Sequence, residues 1–328
     1  MILNGQDAAS IAQAVQVLAD GGLLGLPTET VYGLAADATN DQAIAGIFAA
    51  KGRPADHPLI VHVVGAEQVP VFAAEVPTFA QRLMEAFWPG PLTLILPRRS
   101  GVASASAGGQ NSIGLRCPSH PVAQAVLRAC AQAGLYGLSA PSANQFGRVS
   151  PTTAAHVQSE FGDALLILDG GACEVGIEST IVDCTRGAPV LLRPGRITRE
   201  EIEAACGAFL QDPQALAQAA PKASGTLESH YAPRAKVRVM PAQELHQRLR
   251  ALGVHANNLG VWSQTVPSDL GGGVLWRAQA PDAGQAAHDL FAVLRDLDAR
   301  GVTQIWVEQP PATPAWEGVA DRLRRAAA

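Results

Sequence analysis

The chain has 328 residues, of which 48% are hydrophobic and 16% are charged, and its formal net charge is −5. This much apolar material excludes a wholly disordered chain, and the length favours two domains over one. The acidic balance argues against a protein that holds nucleic acid chiefly through phosphates, since such proteins are usually basic.

Helical and extended patterns alternate through the first 210 residues. Apolar periodicity and capping residues predict helices over 7–20, 40–50, 79–87, 122–133, 152–161 and from 198 onward. Short apolar runs predict strands over 23–26, 59–64, 92–96, 112–115, 138–140, 164–168, 180–182 and 190–192. The sequence therefore predicts a mixed α/β domain over residues 1–210, with a strand order that the pattern leaves open.

The composition changes after residue 210. Residues 211–235 are rich in Ala, Pro, Ser and Gly and have little periodicity, which predicts a linker. Beyond it, strands are predicted over 237–239, 258–262, 274–276 and 302–307. Helices are predicted over 245–252, 287–299 and 319–325. This alternation predicts a small Rossmann-like α/β domain over residues 236–328.

Five cysteines are scattered along the chain, and none forms a C-x-x-C pair. An odd, scattered set predicts reduced thiols rather than a disulfide framework or a zinc ribbon. Residues 1–22 lack the basic start and apolar run of a signal peptide, and no stretch has about 20 continuous apolar residues. We therefore expect a soluble, cytoplasmic protein with no membrane partner.

The chain lacks the common nucleotide and hydrolase signatures G-x-x-x-x-G-K-[ST], G-x-G-x-x-G, H-E-x-x-H and G-x-S-x-G. Two cations, Lys51 and Arg53, stand two residues apart on a loop predicted after a helix. A guanidinium fork and a point charge at this spacing could hold a polyphosphate. The alternative interpretation is a pair of solvent-exposed cations at a helix C-terminus, where positive charge interacts favourably with the helix dipole.

Two further stretches concentrate small polar side chains just after apolar strands. Ser142 and Asn144 follow one strand within the sequence Ser-Ala-Pro-Ser-Ala-Asn, and Thr30 follows another within Pro-Thr-Glu-Thr-Val-Tyr-Gly. Ligands of α/β proteins are met at the carboxyl ends of strands, so both stretches are candidates for nucleotide or substrate contacts. Ordinary turns, capped by Ser, Thr or Asn, are the alternative interpretation.

Taken in this order and spacing, the three stretches resemble the threonylcarbamoyl-AMP synthases, a family marked by a K-x-R and S-x-N pair on a YrdC-like domain. The resemblance continues through residues 57–62, 88–91, 115–118, 177–180, 192–195 and 229–233, and into the second domain. It implies a YrdC-like mixed-sheet N-terminal domain, a linker over 211–235 that covers the active site, and a small Rossmann-like C-terminal domain.

The resemblance also implies a reaction. L-Threonine, bicarbonate and ATP would give threonylcarbamoyl-AMP and pyrophosphate, with Mg²⁺ held by the ATP phosphates rather than by a protein cage. A separate tRNA threonylcarbamoyl transferase machinery would then carry the group to an adenosine beside the anticodon. Direct tRNA binding by this chain is therefore expected to be weak or absent.

Motif matches imply the site residues. The implied catalytic residues are Lys51, Arg53, Ser142 and Asn144. The implied ATP-binding residues are Lys51, Arg53, His57, Ser112, Ser142, Ser150, Arg193 and Tyr231. The implied L-threonine-binding residues are Thr30, His62, Arg116, Ala140 and Thr180, with Arg116 the best candidate for the substrate carboxylate. The family often has Asn where this chain has His57, and a Gly-Leu-Gly-rich turn near residues 314–318.

Plainer interpretations remain for several of these residues. His62 could be a core histidine, Arg193 a surface charge, Tyr231 an anchor between domains, and Glu178 a brace for the loop at Ser179. Two other functions also remain at this point. One is carbamoyl transfer in a maturation enzyme, although such relatives carry extra C-x-x-C zinc modules. The other is an RNA-binding module, which the negative net charge of the chain disfavours.

Overall fold

The computed structural model describes residues 1–211, 220–225, 230–252, 258–270 and 273–328, which form two compact units. The first unit consists of Met1–Phe146, Ser150–Glu174 and the described residues from Glu178 to Gly225. The second consists of Gly147–Val149, Val175–Ile177 and the described residues from His230 to Ala328. Part of the predicted linker lies outside the described residues, so its limits at 211 and 235 stay a prediction.

One mixed sheet organises the first unit. Its strands are β1 (Ile2–Asn4), β2 (Leu24–Leu26), β3 (Gly33–Asp37), β4 (Ile60–His62), β5 (Leu92–Pro97), β6 (Ser112–Arg116), β7 (Leu138–Ser139), β8 (Leu166–Asp169), β9 (Thr180–Asp183) and β10 (Val190–Arg193). Their order in the sheet is β1-β8-β2-β3-β7-β4-β6-β5-β9-β10. The sequence pattern missed β1 and β3. β3 is mostly Gly and Ala, residues with low strand propensity, and is held by burial between β2 and β7.

Helices cover the sheet of the first unit. They are α1 (Ala8–Ala19), α2 (Asp41–Lys51), α3 (Val69–Phe72), α4 (Thr78–Phe87), α5 (Pro121–Gln132), α6 (Ala154–Phe161) and α7 (Arg199–Cys206). The predicted caps are confirmed at two of them. Asn40 accepts the backbone N–H groups of residues 42 and 43 at the start of α2, and Thr198 with Glu201 forms a capping box on α7. The short α3 was not predicted.

Strand register sorts the side chains of the sheet onto two faces. Val61 pairs with Leu115, Leu115 with Leu94, and Leu94 with Val182, and all four are buried in the apolar core against α4 and α7. Neighbouring residues on a strand point to opposite faces. The next cross-strand row, His62, Arg116, Thr93 and Ile181, therefore lies on the other face.

The second unit is a four-stranded parallel sheet. Its strands are β11 (Lys236–Met240), β12 (Leu259–Ser263), β13 (Leu275–Ala278) and β14 (Gln304–Glu308), in the order β11-β14-β12-β13. Its helices are α8 (Ala242–Leu252), α9 (Ala283–Ala299) and α10 (Glu317–Ala326). This parallel arrangement confirms the predicted Rossmann-like fold. The sequence placed the start of α9 four residues late, because its first turn, capped by Asp282, contains only small and polar residues.

Among the described residues, no helix is both long enough and apolar enough to cross a membrane.

Candidate active site

The site is built on the sheet face opposite the apolar core of β4, β5, β6 and β9. His62, Arg116 and Thr93 stand side by side there, because the strand register pairs His62 with Arg116 and Arg116 with Thr93. All three are buried. Two predicted threonine-binding residues thus lie next to each other, together with a threonine that the motifs did not identify.

The loop after β2 supplies partners for Arg116. The Thr28 hydroxyl donates to the carbonyl of Val31 at 2.6 Å and accepts the N–H of Thr30 at 3.2 Å, which fixes the turn. Arg116 Nη1 donates to Thr30 Oγ1 at 2.8 Å. Its Nη2 lies 2.7 Å from Oε1 of Glu29, a buried carboxylate that the sequence analysis did not single out. This loop therefore brings a hydroxyl and a carboxylate to one guanidinium.

His62 is a neutral polar group in this cluster. Burial, and next the positive charge of Arg116, lower the pKa of His62 to about 3. Its Nδ1 lies 3.3 Å from the carbonyl oxygen of Ile60. At neutral pH the ring can accept or donate a hydrogen bond without adding charge beside Arg116.

The other two predicted threonine-binding residues are tied to the backbone. The Thr180 hydroxyl donates to the carbonyl of Ile197 at 3.1 Å and accepts its N–H at 3.2 Å. Gly195 approaches so closely that a Cβ there would lie 2.5 Å from the Thr180 nitrogen. The Ala140 N–H donates to the carbonyl of Ile60 at 3.1 Å. A contact of either residue with L-threonine stays a prediction.

Lys51 connects its own motif to the Ser142–Asn144 motif, which lies about ninety residues later in the chain. Its Nζ donates to the carbonyl oxygens of Ser142 at 2.6 Å and Asn144 at 2.5 Å. The prediction that Lys51 lies on a loop is wrong, because α2 continues through it and ends at Gly52 in the left-handed conformation. Burial, and next the charge of Arg53, lower the pKa of Lys51 to about 7. Lys51 thus holds the Ser142–Asn144 loop through a buried amino group, which can donate to both carbonyls whether charged or neutral.

Arg53 is buried next to Ser224, which lies in the segment that follows α7. Its Nη2 donates to the carbonyl of Pro58 at 2.8 Å and to the Ser224 hydroxyl at 3.3 Å. Its guanidinium lies 5.9 Å from the ring centroid of Phe146, within cation–π range. The His57 ring meets the same Phe146 edge to face at 5.6 Å. Partial burial, and next Arg53, lower the pKa of His57.

Arg193 is 3% exposed, so the interpretation of it as a surface charge is wrong. Its Nε donates to the carbonyl of Ser179 at 3.1 Å, and its Nη2 donates to the Ser179 hydroxyl at 3.1 Å. That hydroxyl lies 2.8 Å from Thr93 Oγ1, which connects Arg193 to the row containing Arg116. Arg193 Nη1 donates to the carbonyl of Ser224 at 2.9 Å.

The described residues 220–225 of the predicted linker lie on this same sheet face. Lys222, Ala223 and Ser224 form one wall of a narrow cavity, and Ser112, with neighbouring residues of β4, β5, β6 and β9, forms the other. The Ser224 hydroxyl donates to the carbonyl of Pro58 at 2.7 Å. Lys222 reaches the exposed carboxylate of Asp56 at 2.6 Å. Ser224 therefore contacts both Arg53 and Arg193, two predicted ATP-binding residues.

Two predicted ATP-binding residues are held in other surroundings. The Ser150 hydroxyl donates to Glu178 Oε1 at 2.5 Å, and both residues are buried. Tyr231 belongs to the second unit, where its ring centroid lies 5.5 Å from the Arg322 guanidinium and 5.3 Å from the Phe291 ring. Its φ of 63° is uncommon for a residue with a side chain, and both ring contacts lie within its own unit. An ATP contact by Tyr231 stays a prediction.

The arrangement suits binding and charge stabilisation rather than nucleophilic attack by the protein. The five cysteines are free and buried, and burial raises the pKa of the Cys117 thiol to about 11, which disfavours a reactive thiolate. Within the described ranges, no three His, Cys, Asp or Glu residues cluster closely enough to hold a metal. What converges instead is a set of buried cations, lined by hydroxyl groups.

Comparisons with known proteins agree with this arrangement. Residues 16–195 match the family model of the Sua5, YciO and YrdC proteins, described as "Telomere recombination", and residues 197–328 match the C-terminal domain of threonylcarbamoyl-AMP synthase. A threonylcarbamoyl-AMP synthase of Pyrococcus abyssi is 37% identical over 95% of this chain and 92% of its own. One of Bacillus subtilis is 38% identical over 97% and 92%. The crystal structure of P. abyssi Sua5 complexed with L-threonine is similar with a TM-score of 0.87 and 35% identity, covering 100% of this chain and 97% of that one.

The buried ammonium of Lys51 predicts a pH-dependent stability. Its pKa is lowered to about 7 in the folded chain, so above pH 7 the unfolded chain binds more protons. Lys51 therefore makes the fold more stable as pH rises, by at most about 1.4 kcal/mol per pH unit. Urea unfolding at pH 7, 8 and 9 should show the advantage of the wild type over Lys51→Met widening with pH. The matched variant of the exposed Lys222, Lys222→Met, should keep the wild-type slope. Parallel curves for Lys51→Met and wild type would contradict the lowered pKa.

Proposed function

The chain belongs to the threonylcarbamoyl-AMP synthase family, and from that premise we propose which of its residues carry out each part of the reaction. It is an enzyme that forms an adenylate, threonylcarbamoyl-AMP, for modification of tRNA. We propose L-threonine, bicarbonate and ATP as its substrates and pyrophosphate as its second product. The observation that carries the assignment is the group of four buried cations, Lys51, Arg53, Arg116 and Arg193, around one sheet face.

The proposed chemistry needs no group of the enzyme as nucleophile. The threonine amine and bicarbonate give a carbamate and water, and a carbamate oxygen then attacks the α-phosphorus of ATP. The bond from the α-phosphorus to the bridging oxygen breaks, and pyrophosphate leaves. Catalysis then rests on holding the reactants together and stabilising negative charge on the phosphates.

Arg53 and Arg193 are the proposed ligands of the ATP phosphates. Both guanidinium groups now donate to oxygens of Ser224, one to the hydroxyl and one to the carbonyl. Phosphate oxygens are stronger acceptors for arginine than a neutral hydroxyl or carbonyl, so we infer that the nucleotide takes over these donors. Ser112 lines the same cavity and would lie along the nucleotide. His57, Ser142, Asn144, Ser150 and Tyr231 remain proposed ATP contacts.

Lys51 has two proposed tasks. It fixes the backbone of Ser142 and Asn144, and the negative charge of a nucleotide nearby would raise the pKa of Lys51 and keep it positively charged. Magnesium would bind to the phosphates and water, with charge neutralisation as its contribution, because that is how Mg²⁺ usually accompanies ATP.

Arg116, Thr30 and His62 are the proposed ligands of L-threonine, with Ala140 and Thr180 as walls. The pairing of a buried guanidinium with a hydroxyl at 2.8 Å supports a carboxylate and hydroxyl recognition site. The neutral His62 supports it as well, because a second cation beside Arg116 would repel. A pocket for the threonine methyl group would give about 1–3 kcal/mol of preference over serine.

We further propose that the linker, 211–235, shields the site from water, which would destroy both the carbamate and the acyl adenylate. The contacts of Ser224 with Arg53 and Arg193 support this role. We also propose that the enzyme works in the cytoplasm and hands its product to a tRNA-modifying transferase. Five unpaired, buried thiols support a reducing compartment.

Removing either phosphate-binding guanidinium should impair turnover. Arg53→Gln and Arg193→Gln should each lower kcat/KM for ATP by about 10- to 100-fold, the effect of losing a charge-assisted hydrogen bond. The matched control Arg128→Gln, at an exposed position on α5, should change it less than twofold. Pyrophosphate release from ATP and bicarbonate, with and without L-threonine, is the measurement. Full activity in folded Arg53→Gln and Arg193→Gln would remove the proposed phosphate site.

Loss of the linker should affect activity more than stability. A chain truncated before Ser224 loses the contacts that cover Arg53 and Arg193, so we expect at least a tenfold lower rate of threonine-dependent pyrophosphate release. The unfolding of the first unit should shift little, because most of its sheet and helices precede this point. Denaturant titration alongside the assay compares the two. Equal losses of activity and stability would argue against a shielding role.

A further inference from the structure

Three polar atoms in the Arg116 cluster have no hydrogen-bond partner in the described part of the chain. They are Oε1 of Glu29 and the Nε and Nη2 atoms of Arg116. Glu29 is 2% exposed and Arg116 is 4% exposed, so solvent does not readily satisfy them. Oε1 and Nη2 are 2.7 Å apart, but the N–H bonds are not directed at the oxygen. A buried polar atom left unpaired is costly, and such atoms call for an explanation.

The remaining contacts hold this pair in place. Glu29 Oε2 accepts the backbone N–H of Ser119 at 3.2 Å, and Arg116 Nη1 donates to Thr30 Oγ1 at 2.8 Å. The carboxylate therefore has its own anchor and does not depend on Arg116 for its orientation. One acceptor oxygen and two donor nitrogens are left side by side.

An α-amino acid has the complementary pattern. Its ammonium group offers N–H donors, and its carboxylate offers acceptors, on adjacent bonds of one carbon atom. A neighbouring carboxylate and guanidinium can receive these two groups at once, with each opposite charge satisfied. Arg116 alone would account for the carboxylate, and its 2.7 Å contact with Glu29 would leave Oε1 of Glu29 without a directed hydrogen-bond donor.

We propose that Glu29 is a substrate-binding residue that receives the α-amino group of L-threonine, while Arg116 receives the carboxylate. The inference rests on the proposed function, in which L-threonine occupies this site. Glu29 also positions the reacting atom. The bound ammonium group must first release one proton to solvent, which gives a neutral amine with a lone pair. Glu29 Oε1 then accepts one of the two remaining N–H bonds, which directs the lone pair away from the carboxylate and toward the carbon that it must attack. Selection for an amino acid over a hydroxy acid or simple carboxylic acid follows from the same contact.

A purely supporting role for Glu29, as counter-charge to Arg116, makes a different prediction. In that case the loss of Glu29 would weaken every ligand that uses Arg116, and ligands without a carboxylate would be unaffected. Three ligands separate the two roles. L-Threonine has both charged groups, L-threoninol keeps the amine and lacks the carboxylate, and (R)-3-hydroxybutanoate keeps the carboxylate and lacks the amine.

The experiment measures dissociation constants of the full-length protein for the three ligands by calorimetry. Glu29→Gln should weaken L-threonine and L-threoninol by about 10- to 100-fold, the range for a hydrogen bond to a charged group. It should change (R)-3-hydroxybutanoate less than threefold. The matched variant Arg116→Gln should give the opposite pattern, weakening L-threonine and (R)-3-hydroxybutanoate and sparing L-threoninol.

Other patterns overturn the proposal. Equal weakening of L-threonine and (R)-3-hydroxybutanoate by Glu29→Gln, with L-threoninol unchanged, would assign Glu29 to the support of Arg116 alone. Unchanged binding, or equal weakening of all three ligands, would also contradict it. If Glu29→Gln does not fold, Glu29→Asp, which keeps the charge and draws it back by one carbon, should show the same selectivity. If the wild type shows threonine-dependent pyrophosphate release but the Glu29 variants lack this ligand selectivity, the inference is wrong and the proposed function is unaffected.

Discussion

Four cations, Lys51, Arg53, Arg116 and Arg193, are buried around one face of the sheet in the first unit. A buried charge is strongly destabilising unless oxygen atoms replace the water that it loses. The surrounding chain supplies these oxygens mainly as backbone carbonyls and hydroxyls, such as those of Ser142, Asn144, Pro58, Ser179 and Ser224. Arg116 also has a carboxylate partner, Glu29, at 2.7 Å. The loops of the site are shaped by this demand for acceptors.

The choice of neutral acceptors has a functional consequence. Carbonyls and hydroxyls hold a cation in place without cancelling its charge, so the charge stays available to an anionic ligand. A triphosphate and a substrate carboxylate are such ligands. In the proposed reaction, negative charge shifts onto the leaving pyrophosphate in the transition state, and preformed positive charge lowers the energy of that state. The same cations that constrain the fold therefore serve the chemistry.

Much of the fold and part of the site could be predicted from the sequence. Apolar periodicity identified the strand that carries His62 and placed β6 to within one residue of Arg116, and capping residues located α2 and α7. The pattern could not supply the strand order, because contacts such as that between Thr93 and Ser179 join residues far apart in the chain. Thr93 left a weak signal, a single polar residue within an apolar strand.

For Lys51, Glu29 and Ser224, the sequence did not reveal the position or the contacts that the structure shows. Lys51 was placed on a loop because Gly52 and Pro54 follow it, but a left-handed Gly52 lets the helix extend to the lysine itself. Glu29 was visible in its motif, but only the folded position of the loop after β2 shows that it meets Arg116. Ser224 lies in the predicted linker, where the sequence gives it no special role. Its contacts with Arg53 and Arg193 form only when that segment lies against the sheet.

We propose that these residues act by position and charge, while the substrate carbamate itself attacks the α-phosphorus. Following the oxygen atoms of ¹⁸O-labelled bicarbonate by mass spectrometry tests it directly. We expect label in the carbamoyl group and in the oxygen that bridges it to the phosphorus of threonylcarbamoyl-AMP, and none in pyrophosphate. Label in inorganic phosphate or pyrophosphate, or an unlabelled bridging oxygen, would contradict it.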